Sequence, residues 1–154
     1  SAPYESVKFI LDSMSHIENL TVTIAGFAFK GMPETDDLRG SMSIEVLKAF
    51  KKLLPAIKIK IFDPIVNKKD LIQYSDFCFN SFSDSIAGSQ VIVICNNHEF
   101  FSSCDLRSLL QENKDIGLIY DFWDHFHYID THSKRELNYV TFGSHWLLNQ
   151  NKLS

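Results

Sequence analysis

The chain has 154 residues, 45% of them hydrophobic, and 15 Lys and Arg against 19 Asp and Glu give a formal net charge of −4. Thirteen Phe, five Tyr and two Trp carry too much apolar area for a disordered chain, and the length suits a single domain with a real core. The slight acidity, with no Lys/Arg stripe interleaved with aromatics, excludes a strongly basic nucleic-acid binder.

In chain order, Tyr4 to His16 carries Val7, Ile10, Leu11 and Met14 at helical spacing. Thr21 to Gly26 is a β-branched run closed by glycine and predicts a strand. Phe27 to Gly40, punctuated by Gly31, Pro33, Asp36 and Asp37, reads as a long polar loop. Ser41 or Ser43 then caps a helix whose apolar face is Ile44, Val46, Leu47, Phe50, Leu53 and Leu54, and Pro55 stops it. Ile57 to Phe62 alternates apolar and polar residues and predicts the second strand, ended by Asp63-Pro64.

A short helix is expected over Asn67 to Tyr74, a short strand over Asp76 to Phe79 and a small helix over Ser83 to Gly88. Gln90 to Cys95 is the most hydrophobic run and predicts a central buried strand. Helical pieces follow at His98 to Phe101 and Asp105 to Gln111, then strands at Gly117 to Asp121 and Tyr139 to Gly143. The alternation implies an α/β fold: a Rossmann-like open parallel sheet with helices on both faces, as a single three-layer domain. Ligands of such sheets bind outside the carboxyl edge, which Gly26, Asp63, Asn96 and Asp121 should line.

No apolar run approaches the roughly 20 residues of a membrane-spanning helix. No basic region followed by a long apolar stretch opens the sequence, so neither a signal peptide nor a membrane partner is expected, and the unpaired cysteines point to a reducing, cytoplasmic location. Cys78, Cys95 and Cys104 form no CxxC pair and read as buried reduced thiols. His125, His127 and His132 interleave with Asp121, Asp124 and Asp130, but the spacing fits no standard ligand set, so no metal is expected. His98 reads as a helix-start or packing residue, and the Phe-rich positions Phe77, Phe79, Phe82, Phe100 and Phe101 read as core. No residue pairs a base with any cysteine, and no catalytic residue is assigned.

The candidate site is the stretch from Gly26 to Ser41, where a strand delivers the chain into a loop and a helix leaves it. Free N–H groups at the helix start, flanked by Lys30 and Arg39, suit a phosphate, with Asp36 or Asp37 orienting one of the cations. A solvated connection is the plain alternative. Neither GxGxxG nor Gly-Lys-Ser/Thr occurs, so NAD or ATP binding by those routes is not expected.

Taken in order, Gly26-Phe-Ala-Phe29-Lys30, Asp36-Asp37-Leu-Arg39-Gly-Ser41, Phe62-Asp63-Pro64 and Val91 to Phe100 resemble the C-terminal, UDP-binding domain of the UDP-glucose/GDP-mannose dehydrogenase family. Members typically read G-x-A-F-K, D-D-x-R-x-S-P, Y-D-P and T-x-H-x-E-F. Here Met42 stands in place of the Pro, Asn96 in place of the Thr, and Asp121-Phe122-Trp123 where the family has D-G-R. That last change removes a cation expected near the substrate, and Trp123 and Phe126 read as packing or interface residues filling the space.

The resemblance implies an NAD-dependent nucleotide-sugar 6-dehydrogenase that oxidises a sugar alcohol to a uronic acid, of which this chain supplies the nucleotide-holding part. NAD would be bound by an N-terminal domain outside this sequence, and this part alone would hold no cofactor and turn nothing over. Residues 1–19 would continue a central dimerisation region, giving a homodimer of the parent enzyme, and residues 20–154 would bind the nucleotide sugar, a UDP-sugar rather than a GDP-sugar. By position, Phe29, Lys30, Arg39 and Ser41 would meet the substrate, supported by Gly26, Asp36 and Asp37. The competing reading is a non-catalytic binding or interaction module that keeps the fold but has a degenerate nucleotide site.

Overall fold

The computed structural model describes residues 1–28, 41–125 and 138–141, with the backbone alone at Asn138. The elements are α1 (Ala2–Ser13), β1 (Thr21–Ala25), α2 (Met42–Leu53), β2 (Lys58–Phe62), α3 (Lys68–Leu71), β3 (Phe77–Phe79), α4 (Phe82–Ile86), β4 (Val91–Ile94), α5 (Glu99–Ser103), α6 (Leu106–Glu112), β5 (Leu118–Asp121) and β6 (Asn138–Thr141). Every strand expected from the sequence is present, and the boundaries move by a few residues. The helix at the start begins at Ala2 because Pro3 is tolerated in a first turn, where its missing N–H has no partner to lose.

The six strands form one sheet in the order β3-β2-β1-β4-β5-β6. All neighbouring pairs are parallel. The order reverses between β1 and β4, which makes their carboxyl ends the switch point of an α/β Rossmann-like sheet.

Side-chain alternation divides the core between the two faces. Val22 and Ile24 of β1 and Val91 and Val93 of β4 join α1 and α2 through Val7, Ile10, Val46 and Phe50. Ala25, Ile92 and Ile94 point the other way and pack on α4, α5 and α6 through Phe82, Ile86, Phe101, Leu106 and Leu110. A hydrogen bond between Ser6 Oγ and Tyr120 Oη (2.9 Å) fixes α1 over β5. Burial pushes the Tyr120 phenol up to about 12, with the Ser6 bond opposing the rise.

One sequence expectation changes, at Phe77. In the inner strand β2, Lys60 is buried. Its stem crosses apolar surface and its amine donates to the carbonyls of Ala87 (2.5 Å) and Asp84 (3.3 Å) at the end of α4. Burial, then the neighbouring Lys58, lowers its pKa, and Asp84 opposes the shift. Phe77 does not join the core: it is exposed on the edge strand β3, with the Lys58 amine 4.3 Å from its ring centroid. Of the thiols, Cys78 and Cys95 are buried and Cys104 is half-buried. Desolvation raises all three pKa values, that of Cys104 to about 11.

Candidate functional site at the switch point

The two ends of the Gly26–Ser41 connection meet at the carboxyl edge. Ser41 is the N-cap of α2, its Oγ accepting from the Ser43 backbone N–H at 3.2 Å. The same hydroxyl donates to the Phe27 carbonyl (2.7 Å), as does Ser43 Oγ (2.9 Å), and the two hydroxyl oxygens touch. With 1% of its surface exposed, Ser41 spends its proton inside the protein, closing the base of the loop. Phe27 is buried against Tyr74, at a centroid distance of 5.6 Å.

Asp63, which the sequence places at the carboxyl edge as the end of β2, organises that edge. Its Oδ2 accepts from the Phe27 N–H (2.6 Å), the Ala28 N–H (2.9 Å) and the Asn96 amide (3.4 Å). Its Oδ1 accepts from the Ile65 and Val66 N–H groups, each at 2.7 Å. One buried carboxylate thus brackets the segments that follow β1, β2 and β4. Backbone N–H groups that would otherwise be buried without partners are satisfied this way. Linear spacing could not reveal it, because the donors lie 36 positions upstream and 33 downstream.

Gly26 has φ +85°, and a Cβ there would lie 2.7 Å from Asn96 Cγ and 2.9 Å from the Asn96 backbone nitrogen. Only glycine fits this close approach of the β1 and β4 ends. Asn96 Oδ1 accepts from the His98 N–H (3.2 Å), and His98 Nδ1 accepts from the Phe100 N–H (2.9 Å) as the N-cap of α5. His98 is therefore a helix-start residue, as expected.

At the end of β5, Asp121 is fully buried. Its Oδ1 accepts from the Trp123 N–H (2.9 Å) and pairs with His125 Nδ1 (3.1 Å). Its Oδ2 accepts from the His125 N–H (2.5 Å) and from the Tyr139 hydroxyl of β6 (2.8 Å), which also lies 3.1 Å from Asp124 Oδ1. The turn carries Asp124 at φ 55°, in the left-handed region. Trp123 is 49% exposed, and its indole N–H donates to the Cys95 carbonyl at 3.1 Å. The space-filling role expected for it is only half met: one edge is fixed on β4 and the rest of the ring faces out.

Of the sequence-derived site residues, Gly26 and Ser41 are placed at the loop base. Phe29, Lys30, Asp36, Asp37 and Arg39 lie outside the described residues, as do Phe126, His127, Asp130 and His132. Among the described residues no group of three or more His, Cys, Asp or Glu is arranged to hold a metal ion. No helix among them is long and apolar enough to cross a membrane.

Solved structures of similar fold are sugar-nucleotide dehydrogenases by name. UDP-N-acetyl-mannosamine dehydrogenase from Staphylococcus aureus superposes with a TM-score of 0.69 at 20% identity, over 96% of this chain and 32% of that one. UDP-glucose dehydrogenase from Pyrobaculum islandicum gives 0.66 at 19% identity, over 92% and 29%. NDP-N-acetyl-D-galactosaminuronic acid dehydrogenase from Methanosarcina mazei gives 0.69 at 17% identity, over 92% and 29%. The chain therefore spans about a third of the length of the structures it matches. A search of curated proteins gives no match. The profile of the UDP-glucose/GDP-mannose dehydrogenase family, UDP binding domain, matches residues 23–128. With more than half of its length inside that match, the chain belongs to the UDP-glucose/GDP-mannose dehydrogenase family, as its UDP-binding domain.

Proposed function

We propose that this chain holds the nucleotide of a UDP-sugar for a longer NAD-dependent nucleotide-sugar 6-dehydrogenase. The observation that carries the reading is the clamped loop base at the switch point, inside the region matched to a UDP-binding domain. Lys30 and Arg39 would meet the diphosphate, Phe29 would pack beside it, and Asp36 or Asp37 would orient a cation. Ser41 and Gly26 serve by setting where the loop starts and ends. Such contacts supply positioning, not bond-making.

The β1 end lacks the GxGxxG turn that cradles a dinucleotide's phosphates, which supports assigning NAD to another domain. The dinucleotide, the reacting cysteine and the dimer-forming region are assigned to other parts of the parent enzyme, with residues 1–19 as the continuation of the dimer region.

Calorimetric titration with UDP and then GDP tests the reading. Saturable UDP binding, weakened about tenfold in Lys30→Ala and in Arg39→Ala, is expected for charge-assisted contacts to phosphate. The competing reading, a degenerate module, draws on Trp123 standing where the resemblance places a cation. It would gain from no binding of either nucleotide at millimolar concentration.

A further inference from the structure

We infer that Trp123 is a stacking platform for the base of the bound nucleotide; this rests on the nucleotide-binding reading above. The large hydrophobic side chains exposed among the described residues are Ile65, Ile72, Phe77 and Trp123. Phe77 already carries the Lys58 amine over its ring. Ile65 also follows a strand at the carboxyl edge but has no aromatic face, so Trp123 alone of the four presents an aromatic ring there. Its indole N–H reaches the Cys95 carbonyl, one residue before the Asn96 side chain that packs on Gly26. The ring therefore borders the switch point on its β4–β5 side.

Trp123 is also held in one orientation. Asp121 takes its backbone N–H and Cys95 takes its ring N–H. The turn behind it, with Asp124 at positive φ, is tied down by His125 and Tyr139. Holding a half-exposed indole this firmly fits a binding surface, since a ring ordered in advance loses little freedom when a ligand arrives.

The chemistry selects the base over the other parts of a sugar nucleotide. With its one N–H engaged, the ring offers sugar hydroxyls no hydrogen bond and could hold a sugar only by its C–H face, and its negative π face repels phosphate. A flat heteroaromatic base stacks over more of the indole face and gains more from it. An aromatic face where the family places a cation would also make this part of the binding less sensitive to salt than an ion pair.

Saturation-transfer NMR with UDP-glucose, with Kd from calorimetry, tests the assignment on the native chain, Trp123→Phe and Trp123→Ala. Saturation strongest on uracil H5 and H6 is expected. Kd should rise about tenfold in Trp123→Ala and stay within about twofold in Trp123→Phe. Saturation centred on the glucosyl protons, or equal Kd values for all three chains, would overturn the platform and leave nucleotide binding intact. Absence of both saturation and heat from the native chain at millimolar UDP-glucose would overturn both. Should Trp123→Ala fail a circular-dichroism melt, the uracil epitope on the native chain and on Trp123→Phe decides.

Discussion

Asp63 and Asp121 both end a strand at the carboxyl edge, and both are buried carboxylates saturated with donors, yet they hold different things. Asp63 accepts from residues that follow three different strands, so it fastens the crevice floor. Asp121 accepts mainly from the turn that follows it, with one contribution from Tyr139 on β6, so it shapes a single rim. Equal burial thus serves a shared floor in one place and an aromatic rim in the other.

Removing each carboxylate should separate those roles. Asp63→Ala leaves four backbone N–H groups and the Asn96 amide without their acceptor. Allowing about 1 kcal/mol or more for each group stranded in the interior, a loss of about 4 kcal/mol is expected in urea unfolding. Gly26→Ala attacks the same floor by steric means, and its clash with the Asn96 backbone together with positive φ should cost about 3 kcal/mol.

Asp121→Ala should cost about 2 to 3 kcal/mol, because the loss is confined to one turn and β6. Unlike Asp63→Ala, it should also shift Trp123 fluorescence in the folded state, measured with Trp146 replaced by Phe. An unshifted spectrum would mean that the rim does not depend on its carboxylate. Tyr139→Phe removes one donor shared by Asp121 and Asp124, and a melting point lower by about 3 °C is expected, near 1 kcal/mol.

A further effect lies at alkaline pH. Unfolded tyrosine ionises near 10, whereas Tyr120 in the folded chain keeps its proton to about 12. The unfolded state therefore binds fewer protons in this window. Stability should be constant in this respect below pH 10 and decline as pH rises from 10 towards 12. Tyrosinate absorbance at 295 nm should show a last step that Tyr120→Phe lacks.

Most of the fold was legible because its signals are local. A β-branched run marks β1, alternation marks β2 and the most hydrophobic run marks β4, Ser41 and Pro55 bracket α2, and the ordered motifs carry the family resemblance. The burial of Lys60 is not legible from alternation, which reports the face a side chain takes and not whether a helix end waits there to receive its amine. Asp63 and Asp121 are legible as residues of the carboxyl edge but not as acceptors, since Asp63 takes donors from segments that become neighbours through sheet order and Asp121 is closed by Tyr139 of the neighbouring strand. The loop that carries Lys30 and Arg39 was visible as a motif, but the part the structure describes is its base, where Ser41 spends its hydroxyl on Phe27.

The hydrogen bond from Ser6 to Tyr120 has a mechanical consequence. α1 packs along α2 and is pinned to β5, with Phe9 edge-on to Tyr120 at 6.1 Å and Val7, Ile10 and Met14 in the core. It behaves as a strut set across two elements. One of them begins at Ser41 and the other runs straight into Trp123. A displacement of α1 would therefore have to disturb packing on both elements at once.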